Sequence, residues 1–217
     1  KSTPIYLDHA AATPLDAGVL KRMMPYLTEE FYNPSATYLA AKRVRHAIDD
    51  ARSRTSKVLG VRPGAVIFTA GATEANNLAI DGVMAKHPSK KVLVSAIEHA
   101  SVLEAAKQYD HHVIPVDTSG HIDIDALKKL LTDDVVLVSC MWINNEVGTI
   151  AYMATVRQTI MAVREARIMR GDLTPLYLHS DAAQAPNLIH LLPKRQGVDL
   201  LSLNGGKIYG PKQSGAL

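Results

Sequence analysis

Leu176-Tyr177-Leu178-His179-Ser180-Asp181-Ala182-Ala183-Gln184 joins a short apolar, β-rich run to a carboxylate, two small residues and an amide. A run of that length and composition reads as a strand of a buried sheet. Asp181 leaves its end, where an unpaired charge is costly, so the carboxylate needs a cation. In an open α/β sheet ligands bind beyond the carboxyl ends of the strands, so the residues just after each run are where chemistry is expected.

The same grammar repeats along the chain. Further β-rich runs are Ala65–Thr69, Lys91–Ser95, His111–Val116, Val135–Met141 and Val198–Leu203. Helical spacing is found in Val19, Leu20, Met23, Met24 and Leu27 behind Asp16, an N-cap residue. A longer helix is expected from Thr37 to Leu59, with a stripe of Ala40, Val44, Ala47, Ile48, Ala51, Thr55 and Val58 that stops at Gly60. Helical patterns at Glu74–Lys86, Ala100–Tyr109, Asp123–Leu131 and Met153–Arg170 separate most of the strands. Alternation of this kind predicts an α/β fold, three layers with a mainly parallel sheet between helices. We expect residues 1–15 as an N-terminal segment and 16–217 as one large domain.

Composition narrows the function classes. An apolar share of 47% with 21% charged residues is that of a globular protein, and the net charge of +3 carries no run of basic residues beyond Lys42, Arg43 and Arg45. A solvated helix face accounts for that cluster, which argues against nucleic acid. Lys1-Ser2-Thr3-Pro4 has no leader pattern and no apolar run is long enough for a bilayer, which predicts a soluble, cytoplasmic protein without a membrane partner. Cys140 is the single cysteine, and the nine histidines show no ligand spacing, so neither a disulfide framework nor a metal site is expected.

Five runs deliver reactive or binding residues at their ends. Gly71-Ala72-Thr73 opens a helix, offering free N–H groups, a hydroxyl and the positive end of the dipole to a phosphate, or else simply capping the helix. His99 is either a satisfied core histidine or a ring placed to stack and move protons. Asn144 and Asn145 end a strand or approach a ligand, and Gln184 is a surface amide or a ligand contact. Asp181 finds a structural salt bridge or a protonated pyridine nitrogen. Asn204-Gly205-Gly206-Lys207 ends in an amine after two glycines that let backbone come close to a ligand, though a lysine is usually a surface residue. Phosphate site, ring, buried carboxylate and lysine together are the set that pyridoxal 5'-phosphate requires.

Longer motifs carry a resemblance. Tyr6-Leu7-Asp8-His9-Ala10-Ala11, Phe68-Thr69-Ala70-Gly71-Ala72-Thr73-Glu74-Ala75-Asn76-Asn77, Ile97-Glu98-His99, Asn144-Asn145-Glu146-Val147-Gly148, His179 to Gln184 and Lys207-Ile208-Tyr209-Gly210-Pro211-Lys212 resemble, in order, the NifS/IscS group of cysteine desulfurases. Asn-Asn-Glu with His-x-Asp-x-x-Gln favours that group over the Suf-type branch and the class V aminotransferases. The resemblance implies a type I pyridoxal-phosphate fold working as a homodimer, and conversion of L-cysteine to L-alanine. The sulfur passes to an enzyme cysteine as a persulfide, then to iron–sulfur scaffold or other acceptor proteins and to tRNA thiolation. It implies that Lys207 carries the cofactor, Asp181 pairs with its ring nitrogen, Gln184 and Asn145 approach its hydroxyl, and His99 stacks on it. Ala72, Thr73 and Asn204 would bind its phosphate.

The chain departs from the family at identifiable places. Members have Ser-x-His-Lys where Asn204-Gly205-Gly206-Lys207 stands, so Asn204 keeps a donor while Gly206 offers no side chain. The family's Asn-Pro-Ser-Ser-x-His appears as Asn33-Pro34-Ser35-Ala36-Thr37-Tyr38. The family's smaller domain, with the persulfide cysteine and the arginine that binds the substrate carboxylate, follows the point where Leu217 stands, so we expect a fragment that is inactive alone. Cys140, in the apolar run Val135–Met141, is expected to be structural. Competing expectations are another class V enzyme (an aminotransferase or a selenocysteine lyase) and a non-catalytic assembly protein that kept the fold.

Overall fold

Val135-Val136-Leu137-Val138-Ser139 is buried along its whole length, which places it in the middle of the sheet. The computed structural model describes residues 4–217; Lys1-Ser2-Thr3, the start of the expected N-terminal segment and of the leader reading, lie outside them. Strands are β1 (Phe68–Thr69), β2 (Lys91–Ser95), β3 (His111–Ile114), β4 (Val135–Ser139), β5 (Tyr177–Asp181), β6 (Leu200–Asn204) and β7 (Gly215–Ala216). They form one seven-stranded sheet in the order β1-β7-β6-β5-β4-β2-β3. β7 runs antiparallel to both β1 and β6, and every other pairing is parallel.

Helices cover both faces. α3 (Ala72–Met84) and α4 (Ala100–Ala106) pack Ile80, Met84, Val102, Ala105 and Ala106 against Val92, Val94 and Leu137. On the other face α5 (Ile124–Leu130) and α6 (Met153–Met169) set Leu127, Val156 and Ile160 against Leu93, Val138, Cys140, Leu178 and Leu201. The expected three-layer α/β fold is therefore present. α1 (Ala17–Thr28) starts where Asp16 accepts the Val19 N–H at 3.0 Å, and α2 (Leu39–Leu59) ends at Gly60, whose φ of 65° is the left-handed cap. A short α7 (Pro193–Gln196) precedes β6.

Some boundaries differ from expectation for local reasons. Pro63 starts a 3₁₀ turn over Pro63–Ala65, which shortens the run Ala65–Thr69 to Phe68–Thr69. Pro115 cannot donate to a ladder, and β3 stops at Ile114. β5 reaches one residue further than the apolar run, so Asp181 is itself the last strand residue.

Arg167 is 1% exposed without a carboxylate partner among the described residues. Its guanidinium donates to the carbonyls of Thr132 (3.0 Å), Val135 (2.8 Å), Thr174 (3.2 Å) and Pro175 (3.1 Å), so it joins the end of α6 to the edges of β4 and β5. Charge-assisted bonds to four carbonyls offset its desolvation. Among the described residues no helix is long and apolar enough to cross a membrane.

A close contact sets the height of α3 against the sheet. Gly71, with φ 154° and ψ 179°, adopts a backbone state open essentially to glycine. It lies against Gly215 of β7, where an added Cβ would stand 2.6 Å from the Gly71 carbonyl carbon and 2.6 Å from the Leu203 oxygen. Gly215→Ala is expected to lower stability by about 1–3 kcal/mol through overpacking. By contrast, Gly206 has only Asn204 Oδ1 at 3.4 Å and Lys212 Cδ at 3.6 Å near the same added atom. Gly206→Ala should therefore stay within about 0.5 kcal/mol of the parent; urea unfolding of the two variants measures the contrast, and equal losses would refute it.

Candidate active site

The segments that follow β1, β2, β4, β5 and β6 surround a cavity of about 200 Å³. Ala72 and Thr73 come from the start of α3, His99 from the start of α4, and Asn145 from the loop after β4. Asp181 and Gln184 come from the end of β5, and Asn204 and Lys207 from the end of β6. All eight residues singled out from the sequence line this cavity. Larger cavities of about 510 and 460 Å³ border α2, but neither contains a buried carboxylate or any of the eight.

Asp181 is 2% exposed. Its Oδ1 accepts the Ala183 N–H at 2.9 Å and its Oδ2 the Asn76 amide at 2.7 Å. Desolvation raises its pKa, opposed by those two bonds and by the electrostatic influence of His99 and Lys207. Among the described residues no Lys, Arg or His forms an ion pair with it.

Lys207 does not close that gap. Its Nζ donates to the Ala10 carbonyl at 2.8 Å and the Ala11 carbonyl at 2.6 Å, both in the segment that precedes α1. Gln184 also donates to the Ala10 carbonyl, at 2.9 Å. The segment is fastened by Thr13, whose N–H and hydroxyl both donate to the Gly206 carbonyl at 3.1 Å, while its Oγ1 accepts the Tyr209 N–H at 2.8 Å.

Glu98 and His179 support this edge from beneath. Glu98 is 7% exposed, and its Oε1 accepts from the Ser95 hydroxyl at 2.9 Å and the Met141 N–H at 2.5 Å, with Oε2 unpartnered. Desolvation first, then the Asp181 charge, push its pKa up to about 8. His179 is fully buried and its ring nitrogens meet the Ser139 hydroxyl at 2.8 Å and the Ser202 hydroxyl at 2.9 Å, bridging β4, β5 and β6. Desolvation lowers its pKa to about 3, so the ring stays neutral and structural.

Other sequence expectations resolve in detail. Asn144 is consumed by the loop, donating to the Ile97 carbonyl and accepting the Glu146 and Val147 N–H groups, each at 2.9 Å, which leaves Asn145 to face the cavity. The expectation that both glycines before Lys207 admit a ligand is corrected for Gly205. A Cβ there would lie 2.0 Å from Ser214 Oγ, so its lack of a side chain accommodates the chain itself. The carbonyls of Ala10 and Ala11, and the polar side chains of Asn76 and Ser101, were not singled out. For Asn76, a position three residues after Thr73 on the same helix face was the available signal.

A family model described as class-V aminotransferase matches residues 5–217. The chain belongs to the class-V aminotransferase family. Within it, cysteine desulfurase IscS of Dictyoglomus turgidum is 39% identical over 220 residues, covering 98% of this chain and 53% of the relative. Cysteine desulfurase IscS of Rickettsia felis is 37% identical over 222 residues, covering 99% and 52%. Among solved structures, one described as SspA in complex with cysteine superposes with a TM-score of 0.89 at 32% identity, over 97% of this chain and 60% of that one. A NifS-like protein gives 0.85 at 31% identity, over 99% and 58%. The chain thus spans about half the length of the curated relatives it matches, and this class-V domain has the large-domain fold of the NifS-like enzymes.

The raised Glu98 pKa has a stability consequence. Between about pH 4.5 and about pH 8 the folded carboxyl holds a proton that the unfolded one has released, so stability falls as pH rises through that window. Glu98→Gln, which cannot ionise, is expected to abolish this fall and to gain several kcal/mol relative to the parent on going from acid to above pH 8. Denaturant midpoints of both proteins against pH check it, and parallel curves would contradict it. His179 acts in the opposite sense, its contribution being lost as pH falls from 6.5 towards 3, and it is common to both proteins.

Proposed function

We propose that this chain is the cofactor-binding part of a cysteine desulfurase that holds pyridoxal 5'-phosphate on Lys207 and acts on L-cysteine. The observation that carries the reading is the Asp181 carboxylate, buried and lining the cavity with donors but, among the described residues, no ion-pair partner. The donor set fits the group: a carboxylate for a protonated pyridine nitrogen, a helix N-terminus with a hydroxyl for a phosphate, and an amine held only by carbonyls. When bound, the pyridine ring withdraws electrons from the substrate α-carbon.

The protein's own groups then divide the work. Asp181 keeps a proton on the ring nitrogen. The first N–H groups of α3, with Ala72 and the Thr73 hydroxyl, bind the phosphate, helped by the Asn204 amide. Gln184 and Asn145 orient the ring through its hydroxyl, and His99 stacks on its face. The Ala10 and Ala11 carbonyls hold the Lys207 amine at the cavity. With cofactor and substrate bound, that amine would be the base for the substrate α-proton.

The relatives named as cysteine desulfurases and the neighbour solved with cysteine support L-cysteine over a transamination substrate. On this reading alanine forms without a keto-acid acceptor, and the sulfur leaves on a thiol outside these 217 residues, for iron–sulfur scaffold or other acceptor proteins. We further propose residues 16–217 as the large domain, behind the N-terminal segment 1–15, and a homodimer in the cytoplasm as the working state.

Borohydride reduction of the chain loaded with pyridoxal 5'-phosphate should leave a pyridoxyl mass on Lys207, and Lys207→Ala should abolish it. Mass found on Lys212 instead would overturn the assignment. Cys140 is 1% exposed, and desolvation with the Glu98 charge raises its pKa well above the usual thiol range, which disfavours the nucleophilic thiolate. Cys140→Ser should therefore keep cofactor affinity, at some loss in stability, and the 217-residue chain should form no persulfide from L-cysteine. A Cys140 persulfide that turns over with alanine release would refute this.

A further inference from the structure

His99 Nδ1 lies 3.1 Å from the backbone N of Ser101, at the start of α4. A backbone N–H can only donate, so Nδ1 supplies the lone pair, and the proton of the neutral ring is on Nε2. The Ser101 hydroxyl lies 2.8 Å from the same Nδ1. Asn76 Nδ2 lies 2.9 Å from that hydroxyl oxygen and 2.7 Å from Asp181 Oδ2.

Each link has one permitted direction. An ionised Asp181 only accepts, so the Asn76 amide turns its nitrogen, not its oxygen, towards it. The second hydrogen of that nitrogen goes to Ser101 Oγ. The hydroxyl, with a lone pair occupied, turns its own hydrogen to His99 Nδ1 and shares that nitrogen's lone pair with the Ser101 N–H in a three-centre bond. Asn76 is fully buried, and this orientation leaves its Oδ1 without a partner among the described residues. Both donors are engaged at the cost of a bare acceptor, which a residue serving only to fill space would not incur.

We propose that Asn76 and Ser101 are positioning residues that hold His99 as its Nε2–H tautomer, so that the ring meets substrate in the cavity with a hydrogen-bond donor. The chain Asp181–Asn76–Ser101–His99 makes the carboxylate read by the ring nitrogen the same charge that orients the imidazole. His99 then serves the substrate sulfur or carboxylate by donating from Nε2, and the role of base falls to Lys207. The inference rests on the proposed cofactor reading for its meaning in catalysis, yet the tautomer itself is a property of the chain without cofactor.

The test is made on the cofactor-free 217-residue chain labelled with ¹⁵N-histidine, by two-bond ¹H–¹⁵N correlation in alkaline buffer where the ring is neutral. The His99 signals are assigned by their loss in His99→Gln. We expect the Nε2–H pattern in the parent, where the Ser101 N–H and hydroxyl both point at Nδ1. A partial shift towards mixed tautomers is expected in Ser101→Ala and in Asn76→Ala, where the backbone N–H remains without the oriented hydroxyl, and restoration in Ser101→Thr, which keeps the hydroxyl. An Nδ1–H pattern in the parent, an unchanged pattern in either alanine variant, or a Thr variant that behaves like Ala would each overturn the proposal. Ser101 is only half-buried, so its variants report even if Asn76→Ala does not fold. Failure of the chain to take up pyridoxal 5'-phosphate would instead count against the cofactor reading and leave the tautomer result standing.

Discussion

A carboxylate at 2% exposure must be compensated, and the arrangement around Asp181 follows from that requirement. Burial raises its pKa, and Asn76 with the Ala183 N–H lower it by donating to both oxygens. These donors stabilise the charge without neutralising it. Among the described residues that compensation comes from neutral donors and not from an ion pair, which is the ground for reading the cavity beside it as a cation-accepting site. The same charge acts through space on Glu98, whose proton is retained in part because a second buried anion beside Asp181 is unfavourable.

Around this carboxylate the sheet supplies rigidity. β5 is flanked on both sides by parallel strands, and the His179 bridge between Ser139 and Ser202 satisfies the polar groups on the face that carries Asp181. β7 enters antiparallel between β1 and β6 and brings Gly215 against Gly71. That contact fixes where α3 begins relative to the strand edge, and with it the position of the free N–H groups that face the cavity. A methyl group at Gly215 would therefore be felt at the site as well as in the core.

The amine is held by a different principle. Lys207 is bonded to main-chain carbonyls of the segment before α1, and Thr13 pins that segment to the turn containing Gly206. Two segments remote in sequence thus meet at the site, with |i−j| = 197 between Ala10 and Lys207. Carbonyl oxygens stabilise an ammonium by dipole alone, so the lysine remains available to a stronger partner.

Much of this was legible in the sequence. Alternating apolar runs and helical stripes are local signals, and the rule that ligands lie beyond strand ends then put Thr73, His99, Asp181 and Lys207 together without any knowledge of distances. The same rule reached Ala72, Asn145, Gln184 and Asn204, and the long motifs gave them roles through resemblance. By itself, then, the sequence determined the layer architecture, the strand edge with a cavity and the residues that gather there, because each depends on residues near one another in the chain. Only the tertiary structure decided that β7, two residues long, completes the sheet, that Gly205 makes room for Ser214 while Gly206 is open, and that Ala10 and Ala11 hold the lysine. It also decided the chain of contacts from Asp181 through Asn76 and Ser101 to His99. These are contacts between segments remote in sequence, and their strength lies in tenths of an ångström and in which atom is the donor, neither of which a pattern of residue types records.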